Sequence, residues 1–265
     1  MNSRVRLFLI LWLAGVAGVV SFQLVDLHAL IAMLPFAQGK PLPMPMAVMR
    51  LLSVVQGAVL VALAVFAGLL LAPRVGLSAP AAQALAEKRP FLPALRPQLL
   101  PGIFGAVIAA PVILGSWFLW RPFLSPSFVQ SAEKFNRMLP PLARLLYGGI
   151  TEEVLVRWGF MTFLVWAAWK LVQKGKGAPR PGFVVAAIIC SALVFGAGHL
   201  PVAIMLNGGP SLSLITYVVL ANALFGVIGG FLYWKKGLES AIVAHALTHV
   251  AFLLSGFLLK FGVSK

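Results

Sequence analysis

Acidic side chains are scarce in this chain: six Asp and Glu stand against 21 Lys and Arg in 265 residues. Charge of either sign is thin as well. Charged residues make up 10% and hydrophobic ones 61%, with a mean hydropathy of +0.98, which excludes an ordinary soluble domain. There is one cysteine, Cys190, set in an apolar run. A single thiol excludes an intrachain disulfide framework and reads as a packing residue rather than a redox centre. Long polar stretches and internal repeats are missing too, and the first apolar run ends without a clear small-residue cleavage site, so that run reads as a helix rather than a cleaved signal.

What is present is a series of apolar runs. About 20 mostly apolar residues cross the hydrocarbon of a bilayer, and seven stretches qualify, at roughly 7–25, 51–72, 99–120, 145–172, 183–199, 212–234 and 238–259. An eighth, 28–38, is short and interrupted by Pro35, which suits a re-entrant or interfacial piece. The expected fold is an all-α polytopic transmembrane bundle of seven to eight spans. Residues 1–144 would form N-terminal membrane helices and an amphipathic connector, and 145–265 a catalytic helix core within one integral membrane domain. Residues 73–98 read as a loop with a short helix over Ala81–Lys88. Residues 122–144 mix Phe123, Phe128 and Phe135 with Glu133, Lys134 and Arg137, the pattern of an interfacial helix beside a site entrance.

The basic residues gather between the apolar runs, where they meet lipid headgroups and set orientation; a nucleic-acid partner is not expected. With seven crossings, 12 Lys and Arg fall on the side of the N-terminus and 8 on the other, with Arg157 inside a span. One extra crossing before residue 145 would reverse that sidedness, so it stays open.

Of the six acids, Asp26, Glu87, Glu133 and Glu239 lie in loops or at helix ends, whereas Glu152 and Glu153 sit inside the fourth span in TEEVLVR. A charge at mid-membrane costs a few kcal/mol or more. Arg157 follows Glu153 by four residues, which places both on one helical face as an ion pair. Glu152, about 100° away on that helix, is left free. The bland alternative is a purely structural pair with Glu152 snorkelling to the headgroups.

Three of the four histidines also lie in apolar runs: His199 in VFGAGHLP, and His245 and His249 in AHALTHV. The second pair has the four-residue spacing that metalloproteases use for two metal ligands, but Ala246 stands where their glutamate would be. Glu152 could supply the missing base if spans four, five and seven converge. Gly148 and Gly149, Gly196 and Gly198, and Gly226 and Gly230 are compatible with such closeness, although each singly reads as ordinary helix packing.

In order, these residues form a pattern: E-E-x-x-x-R over Glu152 to Arg157, F-x-x-x-H over Phe195 to His199, and His245 followed four residues later by a polar residue, His249. Over roughly 145–255 the chain resembles the CAAX protease and bacteriocin-processing (CPBP, or Abi) family of intramembrane endopeptidases. The resemblance implies that Glu152 and His199 activate a water, that His245 and His249 stabilise the oxyanion, and that Glu153 and Arg157 support the site. Its last position is commonly Asn, and His249 stands there. An imidazole is a metal ligand where an amide is a poor one, so two versions stay open: a metal-free reaction, or a zinc-like divalent ion on His199, His245 and His249 with Glu152 as base.

The expected activity is therefore hydrolysis of a peptide bond in a membrane-associated protein or peptide, lipidated ones included, by an integral multi-pass protein of a bacterial-type cell membrane. The alternatives are a non-proteolytic membrane scaffold or immunity protein and a proton-coupled carrier, since membrane Glu and His also build proton relays. Haem held between membrane histidines is a remoter reading.

Overall fold

Seven helical segments of the computed structural model are long and apolar enough to cross a membrane. The structure describes residues 2–33 and 44–262, with side chains through residue 256, and among the described residues every regular element is helical. The chain is an all-α polytopic bundle. Its first spans are α1 (Ser3–Ser21), α3 (Met46–Leu71) and α5 (Phe91–Trp120), with the short helices α2 (Leu27–Ala32) and α4 (Pro80–Ala86) between them. The amphipathic α6 (Pro126–Met138) leads into the fourth span, Pro141–Leu171, which opens as α7 (Pro141–Ala143) and closes as α8 (Thr162–Leu171). Then come α9 (Pro181–Ala197), α10 (Leu200–Asn207), α11 (Leu212–Lys235) and α12 (Leu238–Gly262).

Three details depart from the sequence reading. The loop expected over 73–98 is shorter, because α5 begins at Phe91 and carries Pro97, Pro101 and Pro111 inside it. Neighbouring helices in a bundle re-satisfy the backbone groups that such prolines free. The fifth apolar run does not end at His199: after a break at Gly198 and His199 the chain resumes as α10. Pro201 has no N–H to give the carbonyl of Ala197, so the helix stops there and restarts with proline in its first turn. Finally, α2 covers the start of the 28–38 candidate, and 34–38 lie outside the described residues.

Small residues bring the spans together. A Cβ at Gly226 would lie 2.6 Å from Ala192 Cβ and one at Gly230 3.0 Å from Ile188, so the G-x-x-x-G face of α11 is the seam against α9. Gly196 meets the backbone of Val219 in the same seam. Around this pair, α1 and α3 pack on the fourth span and α5 on α12. On the side where the chain starts, Glu239 accepts from the Ala82 N–H at 2.8 Å and Ser240 donates to Gln98 Oε1 at 2.7 Å, stitching α4 and α5 to the start of α12.

Candidate active site

The fourth span is wound unusually. Residues Arg144–Thr151 and Val154–Met161 are π-helical, and the Glu152 and Thr162 amides bond the carbonyls of Tyr147 and Arg157, each five residues back. Two threonine hydroxyls reinforce the wide turns. Thr151 reaches the Leu146 carbonyl and also donates to Gly15 of α1 at 2.7 Å, and Thr162 donates to the Arg157 carbonyl at 3.1 Å. Widened turns of this kind are rare and concentrate at functional sites.

Glu153 and Arg157 meet in the interior as the spacing predicts, with Nε 3.2 Å from Oε2 and both side chains fully buried. The contact is out of line for a hydrogen bond, so the attraction is coulombic rather than directional. Arg157 also lies over the Phe195 ring, 5.3 Å from its centroid. Gly229 leaves room for the guanidinium, whose Nε would be 3.2 Å from a Cβ there.

The other oxygen of Glu153 does something the sequence did not signal. It lies 2.9 Å from His245 Nδ1, across from the fourth span to α12. An ionised Glu153 has no proton to give, so His245 donates through Nδ1 and its Nε2 is left facing Glu152, 3.8 Å away. The imidazole is fixed between rings, with Phe225 at 4.0 Å and 36° and His249 at 4.9 Å and 16°. Phe195 meets both His245 and His199 edge-on, at 5.9 and 4.9 Å. His199 sits at the break after α9 with Nδ1 2.9 Å from the Phe195 carbonyl. It donates there, which leaves Nε2 as its free atom.

Spans four, five and seven thus bring Glu152, Glu153, Arg157, His199, His245 and His249 into one region. The region is closed on one side by a fully buried layer of Arg157, Trp158 and Thr162, with the Thr162 hydroxyl 2.7 Å from that of Tyr233. On the other side Glu152, His199 and His249 keep part of their surface accessible. There α6 packs on α10, and Arg144 donates to the Leu139 and Asn136 carbonyls at the end of α6.

Gly148 sets the position of His249. A Cβ on Gly148 would collide with His249 Nε2, while Gly149 lies against Ala246. Gly148→Ala is expected to displace the ring, a flexible side-chain end, with little change in thermal midpoint. An ångström-scale misplacement costs up to about 100-fold in rate, so a fall in kcat/KM of roughly 10- to 100-fold is the expected reading; an unchanged value would remove His249 from the reaction.

His245 Nδ1 is held by Glu153 and His199 Nδ1 by the Phe195 carbonyl, which leaves Nε2 as the free nitrogen of each, and the rings of His245 and His249 lie near-parallel with centroids 4.9 Å apart. Among the described residues no group of three or more His, Cys, Asp or Glu side chains is placed to hold a metal ion. His249 Nδ1 is buried without a hydrogen-bond partner.

A buried Glu–Arg pair that orients a histidine beside a second, freer glutamate, inside a seven-span bundle, defines a polytopic membrane protein with a polar cluster between its helices. Residues 134–251 match the model of the family described as type II CAAX prenyl endopeptidase, Rce1-like, which is the CPBP family. The match supports an intramembrane protease. The first three spans lie outside the matched segment. No curated protein and no solved structure matches the chain.

Proposed function

We infer that the chain is an intramembrane endopeptidase that hydrolyses a peptide bond in a membrane-associated protein or peptide, with water activated by Glu152 and His199. The observation that carries this reading is the division of labour between adjacent glutamates. Glu153 is engaged by Arg157 and His245, whereas Glu152, 19% exposed, has a single ion-pair contact among the described residues, the Nε2 of His245 at 3.8 Å. Glu152 takes a proton from the water as its oxygen attacks the scissile carbonyl carbon, and His199 orients that water through its free Nε2. The carbonyl oxygen becomes the oxyanion. In its imidazolium form, with the Nδ1–H on Glu153, His245 donates to it through the Nε2–H together with His249. Collapse breaks the C–N bond, and Glu152 passes the proton to the leaving amine.

The matched family is described as prenyl endopeptidases, so peptides with a lipidated C-terminal cysteine are the first probes, followed by unmodified transmembrane peptides. The test is cleavage by detergent-purified wild type with and without chelator, alongside its metal content. Cleavage that persists after chelation with no stoichiometric metal is the expected result. Loss of activity that zinc restores would instead require the imidazoles to regroup around an ion. No cleavage of any peptide would favour a scaffold or a carrier.

A further inference from the structure

One polar side chain in the sixth span belongs to none of the roles above. Asn222 lies in the apolar run VVLANALFGVIGG of α11, where an amide facing lipid would be costly. The lipid-facing stripe of α11 is marked by Leu220, Leu224, Val227 and Phe231, which are 40–51% exposed. On a helix of 3.6 residues per turn, Asn222 projects roughly 170° from the middle of that stripe. It therefore points into the bundle. Phe225, one turn along on the same inner side, packs against the His245 ring, and Gly229, one further turn on, abuts Arg157.

Inner-face residues of α11 around it are buried, Val218 at 5%, Phe225 at 3% and Gly229 among them, yet Asn222 keeps accessible surface. Phe225 and Gly229 set this face of α11 against His245 and Arg157, and the accessible Asn222 lies one turn before Phe225 on the same face. Asn222 Nδ2 donates one proton to the Val218 carbonyl at 2.8 Å. Among the described residues the second amide proton and Oδ1 have no partner, which leaves one donor and one acceptor, the complement of a peptide group.

We propose that Asn222 lines the reaction chamber and holds the substrate by hydrogen-bonding a backbone peptide group next to the scissile bond. This rests on the protease reading above. Asn222 contributes binding and register, and the bond-breaking steps remain with Glu152 and the histidines.

Two measurements test it. In a Cys190→Ser background, Asn222→Cys is expected to react with a charged, water-soluble methanethiosulfonate at least tenfold faster than the lipid-facing Leu224→Cys; equal rates overturn the placement. With a peptide that the wild type cleaves, Asn222→Ala is expected to raise KM by about three- to tenfold, the worth of one hydrogen bond. kcat should stay within about twofold, the pattern of lost ground-state binding, and Asn222→Gln should recover part of the loss. A KM unchanged in Asn222→Ala, with fast labelling, sinks the peptide contact while the protease reading stands. Absence of any cleavage by the wild type sinks both the protease reading and the peptide contact, and labelling then reports on the chamber wall alone.

Discussion

Glu152→Gln is expected to abolish peptide hydrolysis while leaving the protein folded. The change is isosteric and removes only the capacity to accept and return a proton. General acid–base groups contribute roughly 10²- to 10⁴-fold, so kcat should fall by at least that range. The side chain retains solvent access and lies 3.8 Å from its nearest ionic neighbour, so no buried partner is stranded by neutralising it. Yield and thermal midpoint should match the wild type. A purified Glu152→Gln protein that cleaves at the wild-type rate would contradict the assignment, and a second carboxylate would then have to be found. Glu153 could not serve without giving up Arg157 and His245.

Arg157→Ala should fail for a different reason. It leaves the Glu153 carboxylate fully buried without its cation, and breaking a buried pair from one side costs about 3–5 kcal/mol. That is a large part of what holds a marginally stable bundle together. Low yield and a lowered thermal midpoint are expected along with lost activity. The double variant Glu153→Gln/Arg157→Met separates the two effects. Removing both charges relieves the stranded carboxylate, so stability should largely return, as it does when buried pairs are replaced by apolar or neutral groups. Activity should not return in full, because a neutral amide holds the His245 imidazole less firmly than a carboxylate. Full recovery of turnover in the double variant would reduce the pair to packing.

Those two outcomes depend on contacts of unequal legibility. The i,i+4 spacing of Glu153 and Arg157 announced their pairing, because proximity on one helix is encoded in a few consecutive residues. Hydropathy marked all seven spans for a similar reason. The bond from Glu153 to His245 joins residues 92 apart in sequence, and no local pattern specifies which of two adjacent carboxylates will reach another helix. The packing of Phe225 against His245 was hidden the same way, since a phenylalanine in an apolar run looks like any lipid-facing one. The π winding around Glu152 carries no propensity signature in side chains that suit an α-helix equally well. Proline is an uneven guide to helix ends. Three prolines inside α5 leave the helix continuous, while Pro201 coincides with a real break.

The break at His199 also divides the protein's packing. Leu124, Phe128, Val129, Ala203 and Leu206 form a hydrophobic cluster of their own with Leu214 and Val218, separate from the main one that includes Val154, Trp158, Phe195 and Phe225. The smaller cluster is built largely from α6, α10 and the first turns of α11, and Ser125 donates to Asn207 to tie its two short helices together at 2.6 Å. Cooperative units of this size open with less free energy than the whole. Backbone amides of α6 and α10 should therefore exchange with deuterium well before those of α9 and α12, even though His199 and α10 are neighbours in the chain. His199 thus sits on the seam between the two clusters, so the flank can breathe while the Glu153–Arg157 layer keeps its geometry.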